Sequence, residues 1–262
     1  MFTLGVVVFG MQLTREQFTR IEHVLPVQRG NVVIDNFTLI NAILFVALNG
    51  CTWRALPERY GRWHTVYMRM RRWAKNGVLT KVFQELQTQD MIYIDIESLQ
   101  IDSTSIKVHP DGTGKRKKAG PQATHRSRGG LNTKLHLVAT GLQGVLGFLL
   151  TPGQVHDARP GRELLQGLGI EDLQVPLIMD KAYEGNETRQ LAESLGFQPV
   201  VPPKANRLDP WEYDVELYKK RNEIERLIGR IKRFRRVFTR YDKTDIMFCA
   251  FITVALIANL LR

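Results

Sequence analysis

Carboxylates are scarce in this chain. It carries 26 Asp and Glu against 37 Lys and Arg, for a net charge of +11 and a sequence pI near 9.8. A surplus of that sign favours a nucleic acid or an anionic membrane surface as partner. Cysteine is scarcer still. Cys51 and Cys249 are the only two, and neither has a CxxC neighbour or a His at ligand spacing. That excludes a zinc framework and a disulfide scaffold, and both read as core thiols in a reducing compartment. Long apolar runs are missing too. The longest, "IMFCAFITVALIANLL" at 246–261, has sixteen residues and contains Thr253 and Asn259. A spanning helix needs roughly twenty, so the run reads as a buried core helix and no membrane partner is expected. The opening "MFTLGVVVFG" lacks a basic leader and a small-residue cleavage site, which argues against a signal peptide. Met11 begins "MQLTREQF", a natural helix start, so residues 1–10 read as an upstream start or an added tail. No Gly-rich phosphate loop is present, and ATP is not implied.

What is there is globular: 262 residues, 44% hydrophobic, enough for one large domain or two modest ones. The first ninety residues carry helical patterns. Thr14 with Gln17 forms a capping-box pattern before "REQFTRIE", and "NFTLINAILFVALNG" is an apolar helix stopped by Gly50. Residues 62–75 hold five basic side chains, among them Arg69 and Arg72, and no acid, interleaved with Trp63, Tyr67 and Trp73. A basic helix with aromatics after a turn is what a helix-turn-helix reader offers to DNA. The same pattern also fits an ordinary bundle helix with its aromatics in the core.

Near residue 91 the pattern changes. Strands are expected at 96–108, 131–140, 144–153, 175–180 and 197–203. Helices are expected around 161–168, 185–196, 213–236 and 244–261. The order predicts an α/β mixed sheet flanked by helices, behind a small all-helical region at 11–90. Between the first two strands, residues 109–130 form a Gly-containing basic loop suited to nonspecific phosphate contact.

Against this background the placement of a few acids stands out. From Lys219 to Lys243 there are eleven Lys or Arg and three acids, one of them Glu225. On a helix, Tyr218, Arg221, Glu225 and Lys232 share a stripe about 60° wide beside the apolar face. Arg226 and Arg230 point away from it. One reading of Glu225 is intrahelical pairing with Arg221, worth a few tenths of a kcal/mol. The other takes it with Asp102, inside a strand, and Asp180, at the end of one. Carboxylates at the carboxyl ends of strands form ligand sites. Three of them in a basic chain suggest hard divalent cations acting on a phosphodiester. His156 and Asp157, adjacent on an extended chain, point to opposite faces and make a poor catalytic pair.

Tyr218, Arg221, Glu225 and Lys232 at these spacings resemble the Y-R-E-K signature of bacterial insertion-sequence transposases of the DDE type, the small IS4/IS5-like group. "IDSTSIKVH" around Asp102 and "DKAYEGNETR" from Asp180 are similar to that family's first and second acid motifs. "HRSRGGLNTKLHLV", "GQVHDARPG" and the N-terminal "TWRALPERYGRWHTVYMRMRRWAKNGV" resemble its other segments. The resemblance covers the chain from Met11 onward. It implies an RNase H-like catalytic domain at 91–262 behind an end-binding domain at 11–90. Asp102, Asp180 and Glu225 would be catalytic and ligate two Mg²⁺ ions, for which Mn²⁺ can substitute. Tyr218, Arg221, Lys232, Arg226, Arg230, Arg69 and Arg72 would contact double-stranded DNA, both transposon ends and target. A homodimer on DNA in the bacterial cytoplasm, at the nucleoid, is implied as well. Two alternatives from the residues remain: a non-catalytic DNA-binding protein, such as a repressor or decayed transposase, and a stand-alone two-metal nuclease.

Overall fold

The computed structural model describes residues 11–91, 96–113, 120–127, 129–142, 144–170 and 173–261. The readings placed on residues 1–10 and on the centre of the basic loop, 114–119, lie outside the described residues. Four helices come first: α1 (Arg15–Glu22), α2 (Asn36–Asn49), α3 (Trp63–Lys75) and α4 (Val78–Met91). The expected capping box is present, with Thr14 accepting from the Gln17 backbone and Gln17 returning the bond. Asp35 caps α2 through the Thr38 amide, and Gly50 ends it at φ 66°. That conformation suits glycine, and a Cβ there would also collide with the Arg235 side chain.

The sheet follows: β1 (Leu99–Val108), β2 (His125–Ser127), β3 (Gly130–Thr140) and β4 (Gly144–Pro152). After α5 (Ala158–Gly167) come β5 (Pro176–Met179), α6 (Asn186–Ser194) and β6 (Gln198–Val200). The chain closes with α7 (Val215–Tyr218), α8 (Asn222–Ile231), α9 (Arg235–Phe238), β7 (Thr239–Arg240) and α10 (Asp245–Leu260). β4 and β3 are antiparallel, as are β3 and β1, whereas β1, β5 and β6 run parallel. The order β4-β3-β1-β5-β6 is the RNase H-like arrangement that the resemblance implies.

Strand alternation sends side chains into two cores. Leu99 and Ile101 enter the cluster under α5 and α6, with Leu164, Met179 and Tyr183. Ile106, Leu135 and Leu137 enter the other, which holds α8 to α10 and the four N-terminal helices. α10 is buried along nearly its whole length, as the apolar run predicts, and among the described residues no helix is long and apolar enough to cross a membrane.

Two details depart from expectation. The helix expected over 213–236 is broken into α7, a 3₁₀ turn at Lys219–Arg221, α8 and α9. The cysteines, expected in the core, are only partly buried. Trp73 is buried, and Trp63 and Tyr67 pack against the main cluster, so the α3 aromatics face inward, while Arg71, Arg72 and Lys75 are exposed.

Candidate active site

Along β1, alternation leaves Gln100, Asp102, Thr104 and Ile106 on the face that carries α8. Each polar residue of that row meets a partner from α8 or its flanks. Gln100 Nε2 donates to Glu223 Oε2 at 3.1 Å, and Lys232 Nζ donates to Thr104 Oγ1 at 2.6 Å. Between them, Asp102 faces Arg221 at 3.6 Å. α8 lies along the strand because its apolar side, Ile224, Leu227, Ile228 and Ile231, is buried against the sheet. The polar stripe beside that side is thereby laid over β1.

Sheet register brings the second acid in. β1 and β5 are parallel with Ile101 opposite Met179, so the next residues, Asp102 inside β1 and Asp180 just past the end of β5, stand side by side. Asp180 also caps the turn Lys181–Tyr183 through the Lys181 amide at 2.5 Å. Arg221 gathers all three acids. Its Nη1 is 3.6 Å from Asp102 Oδ2 and 3.9 Å from Asp180 Oδ2, while Nη2 donates to Glu225 Oε1 at 2.5 Å. Two contacts to one nitrogen bound the two Asp oxygens to within 7.5 Å of each other.

The cluster opens outward. Side-chain exposure rises from 13% at Asp102 to 41% at Asp180 and 49% at Glu225, so the cluster faces solvent on the Asp180 and Glu225 side. Burial pushes the Asp102 carboxyl up to about 6. The charges of Asp180 and Glu225 push the same way, against the Ser103 amide and Arg221. Burial lowers Lys232 from its ordinary value and raises Tyr218. Among the described residues no three acidic, His or Cys side chains converge tightly enough to hold one ion as they stand, and the Arg221 guanidinium lies among the three acids. The donors are nonetheless all carboxylate oxygens, two of them partly exposed to solvent, the set that suits a hard dication.

The other candidate residues separate by environment. The Tyr218 ring lies 5.9 Å from the Arg221 guanidinium carbon and 5.5 Å from the Tyr213 ring. Arg226 is exposed, and Arg230 Nη1 donates to the Leu142 carbonyl at 3.4 Å. Arg69 is occupied by the Ile34 carbonyl and Asn36 Oδ1, while Arg72 is exposed.

Several residues around the site escape sequence reasoning. Asp157 pairs with Lys134 at 2.8 Å instead of with His156, which is exposed. His136 is fully buried and meets Thr151 Oγ1 at 2.9 Å. Lys134 and His136 sit two apart on β3, so period two was the available signal. Nothing local marks their partners, which come from β4 and the turn beyond it.

Comparison with known proteins adds the family. Residues 13–83 match the family described as "Putative transposase of IS4/5 family", and residues 95–260 match "Transposase DDE domain". A Brucella ovis protein named "Putative transposase for insertion sequence element IS6501" is 32% identical over 127 residues, 48% of this chain and 95% of that one. A protein of Sinorhizobium fredii, y4sN, is 36% identical over 86 residues, 33% of this chain. The chain spans 66% of that relative's length. Solved structures with some likeness include the piggyBac transposase synaptic complex with hairpin DNA, at 12% identity and TM-score 0.41, covering 74% of this chain and 50% of that one. Another is the Mos1 mariner paired end complex with Mn, at 15% identity and TM-score 0.33, covering 90% and 78%. Both likenesses are too loose to carry an argument.

Proposed function

The chain belongs to the family of transposases with a DDE domain, and on that premise we propose that it cuts DNA at the ends of an insertion sequence and joins them to target DNA. Asp102, Asp180 and Glu225 are the catalytic acids, and they would hold divalent cations, Mg²⁺ with Mn²⁺ as a substitute. When bound, such cations lower the barrier to in-line attack at phosphorus by activating the attacking oxygen and stabilising the leaving one. The observation that carries the reading is the convergence of all three carboxylates, from inside β1, the end of β5 and α8, on the Arg221 guanidinium.

The chain's own residues supply position and charge. A bare acid cluster repels a DNA backbone. Lys232, fixed on Thr104, and Arg221 set positive charge beside it and suit the phosphates flanking the cut. The Tyr218 ring offers a face to an unpaired base at the cut end. Arg226 and Arg230 extend the basic surface along α8. In the first helices, Arg72 meets the backbone directly and Arg69, already bonded to Ile34 and Asn36, steadies the turn beside it.

The division of labour follows the same logic. Residues 11–90 recognise the end, residues 91–262 perform the chemistry, and the basic stretch at 109–130 holds phosphates. Two copies pair the two ends as a homodimer, acting on the bacterial nucleoid in the cytoplasm. The test is incubation of the full chain with a plasmid carrying the element's own ends. Strand breaks at those ends in Mg²⁺, stopped by EDTA, are expected. Binding to the ends without any breakage would instead identify a non-catalytic DNA-binding protein.

A further inference from the structure

The segment from 203 to 214 joins β6 to α7 and carries an arrangement that the acid cluster does not use. Its base is tied to the catalytic turn. Glu184, four residues after Asp180 and only 8% exposed, receives Lys204 at 3.1 Å and Arg207 at 2.9 Å. Its far end returns through Tyr213, whose ring meets Tyr218. The segment therefore stands on the rim of the site.

At its centre, Trp211 is fixed by its indole N–H, which donates to the Val201 carbonyl at 2.9 Å. The Arg189 guanidinium carbon lies 3.7 Å from the centre of the Trp211 ring, and that of Arg207 lies 4.6 Å away. A stacked guanidinium keeps its donors at its edge, free for an in-plane acceptor. Arg207 spends its donors on Glu184 and Asn186. Arg189 Nε is buried without a hydrogen-bond partner, and among the described residues no carboxylate pairs with Arg189, whose outer edge reaches the cavity. A surface cavity of about 510 Å³ opens here, lined by Asn186, Arg189, Arg207, Leu208, Asp209 and Trp211, among others. Leu208 is fully exposed at its rim, an apolar surface for a sugar or base. Of the charged residues lining the cavity, Arg189 and Arg207 are basic and Asp209 is acidic, and Glu212 and Asp214 follow on the same segment.

We infer that Arg189, held flat on Trp211, is a phosphate-binding residue of a second DNA contact, where the strand leaving the acid cluster crosses the cavity beside Leu208. The inference rests on the transposase reading, since it takes DNA to be the partner. A purely structural clamp would pair the guanidinium with a carboxylate, and among the described residues none is paired with Arg189.

The test measures binding of a fluorescein-labelled DNA duplex of arbitrary sequence to the full chain across a salt series in EDTA. The variants are Arg189→Ala, Asp209→Asn and, as a charge-matched control, Arg159→Ala on the exposed side of α5. Arg189→Ala is expected to weaken binding on the order of five-fold, with a salt slope shallower by about 0.9, the loss of one phosphate contact. Arg159→Ala leaves the slope unchanged, and Asp209→Asn tightens binding. Equal slopes for Arg189→Ala and Arg159→Ala overturn the inference while leaving the transposase reading intact. If Arg189→Ala fails to fold by circular dichroism, Asp209→Asn decides, and unchanged affinity there overturns the inference. A wild-type chain that does not bind the duplex at all sinks both.

Discussion

Arg221 donates to Glu225 at 2.5 Å, one helical turn away, and the same guanidinium reaches across to Asp102 on β1 at 3.6 Å. A pair that on a helical wheel passes for ordinary i, i+4 support is therefore also the link between helix and sheet. The guanidinium offsets part of the repulsion among three carboxylates, and it takes oxygens that a cation would need.

Arg221→Gln is accordingly expected to destabilise the chain in EDTA by about 1 kcal/mol, the scale of a partly exposed ion pair. That corresponds to a fall in Tm of roughly 2–4 °C for a chain of this size. Millimolar Mg²⁺ should then raise the Tm of the variant more than that of the wild type, because cation and guanidinium compete for the same oxygens. Differential scanning fluorimetry reads this directly. Equal shifts in both proteins would show that Arg221 and the cation do not share a site.

Close packing behind the site gives a second expectation. A Cβ at Gly161 would fall inside the van der Waals envelope of Tyr183 Cε1 and lie 3.2 Å from Ile101 Cδ1. Tyr183 is fully buried, three residues after Asp180, and cannot swing away. Gly161→Ala should cost about 1–3 kcal/mol by overpacking, measured by urea unfolding. It should also slow DNA cleavage at temperatures where the variant remains folded, since the displaced ring pushes on the Asp180 turn. A variant as stable as wild type would mean that α5 can shift freely against β1.

Buried His136 sets a pH dependence. Burial pulls its imidazole down to about 4, with Asp157 opposing and Lys134 reinforcing. Between the ordinary value near 6.5 and about 4, the unfolded chain takes up a proton that the folded chain refuses. Stability is therefore lost as pH falls through that window, at up to about 1.4 kcal/mol per pH unit. Asp102 and Asp242, both pushed up to about 6 by burial, act with the opposite sign. The difference between wild type and His136→Gln isolates the histidine. That difference should shrink from pH 6.5 to 4, and a constant difference would contradict the assignment.

Much of this was legible in the sequence because it rests on periodicity. β1 alternates, so Asp102 had to share a face with Ile106. The apolar positions of α8 fix which stripe borders the sheet. The register that sets Asp102 beside Asp180, with Ile101 opposite Met179, is given by the sheet and has no local signal in the sequence. The break at Lys219–Arg221 was not legible, because its residues are sound helix formers and the turn tightens where Lys220 reaches Glu97 at 2.9 Å. Arg240 was equally hidden. It sits in a basic run that reads as a solvated face, yet it is fully buried against Thr133, Asp245 and the Asp242 carbonyl. Partners that distant leave no local pattern. The same holds for Arg189 and Trp211, which meet only because α6 and the segment after β6 share an edge.

The most direct measurement of the central claim compares Glu225→Gln with wild type on the element's own DNA ends in Mg²⁺. The substitution keeps shape and hydrogen-bonding capacity and removes one ligand charge. DNA binding within two-fold of wild type, with cleavage lost by about a hundred-fold or more, is the predicted result, one that places Glu225 in the metal-holding set. Cleavage at the wild-type rate would remove Glu225 from the mechanism and, with it, the three-carboxylate account of this site.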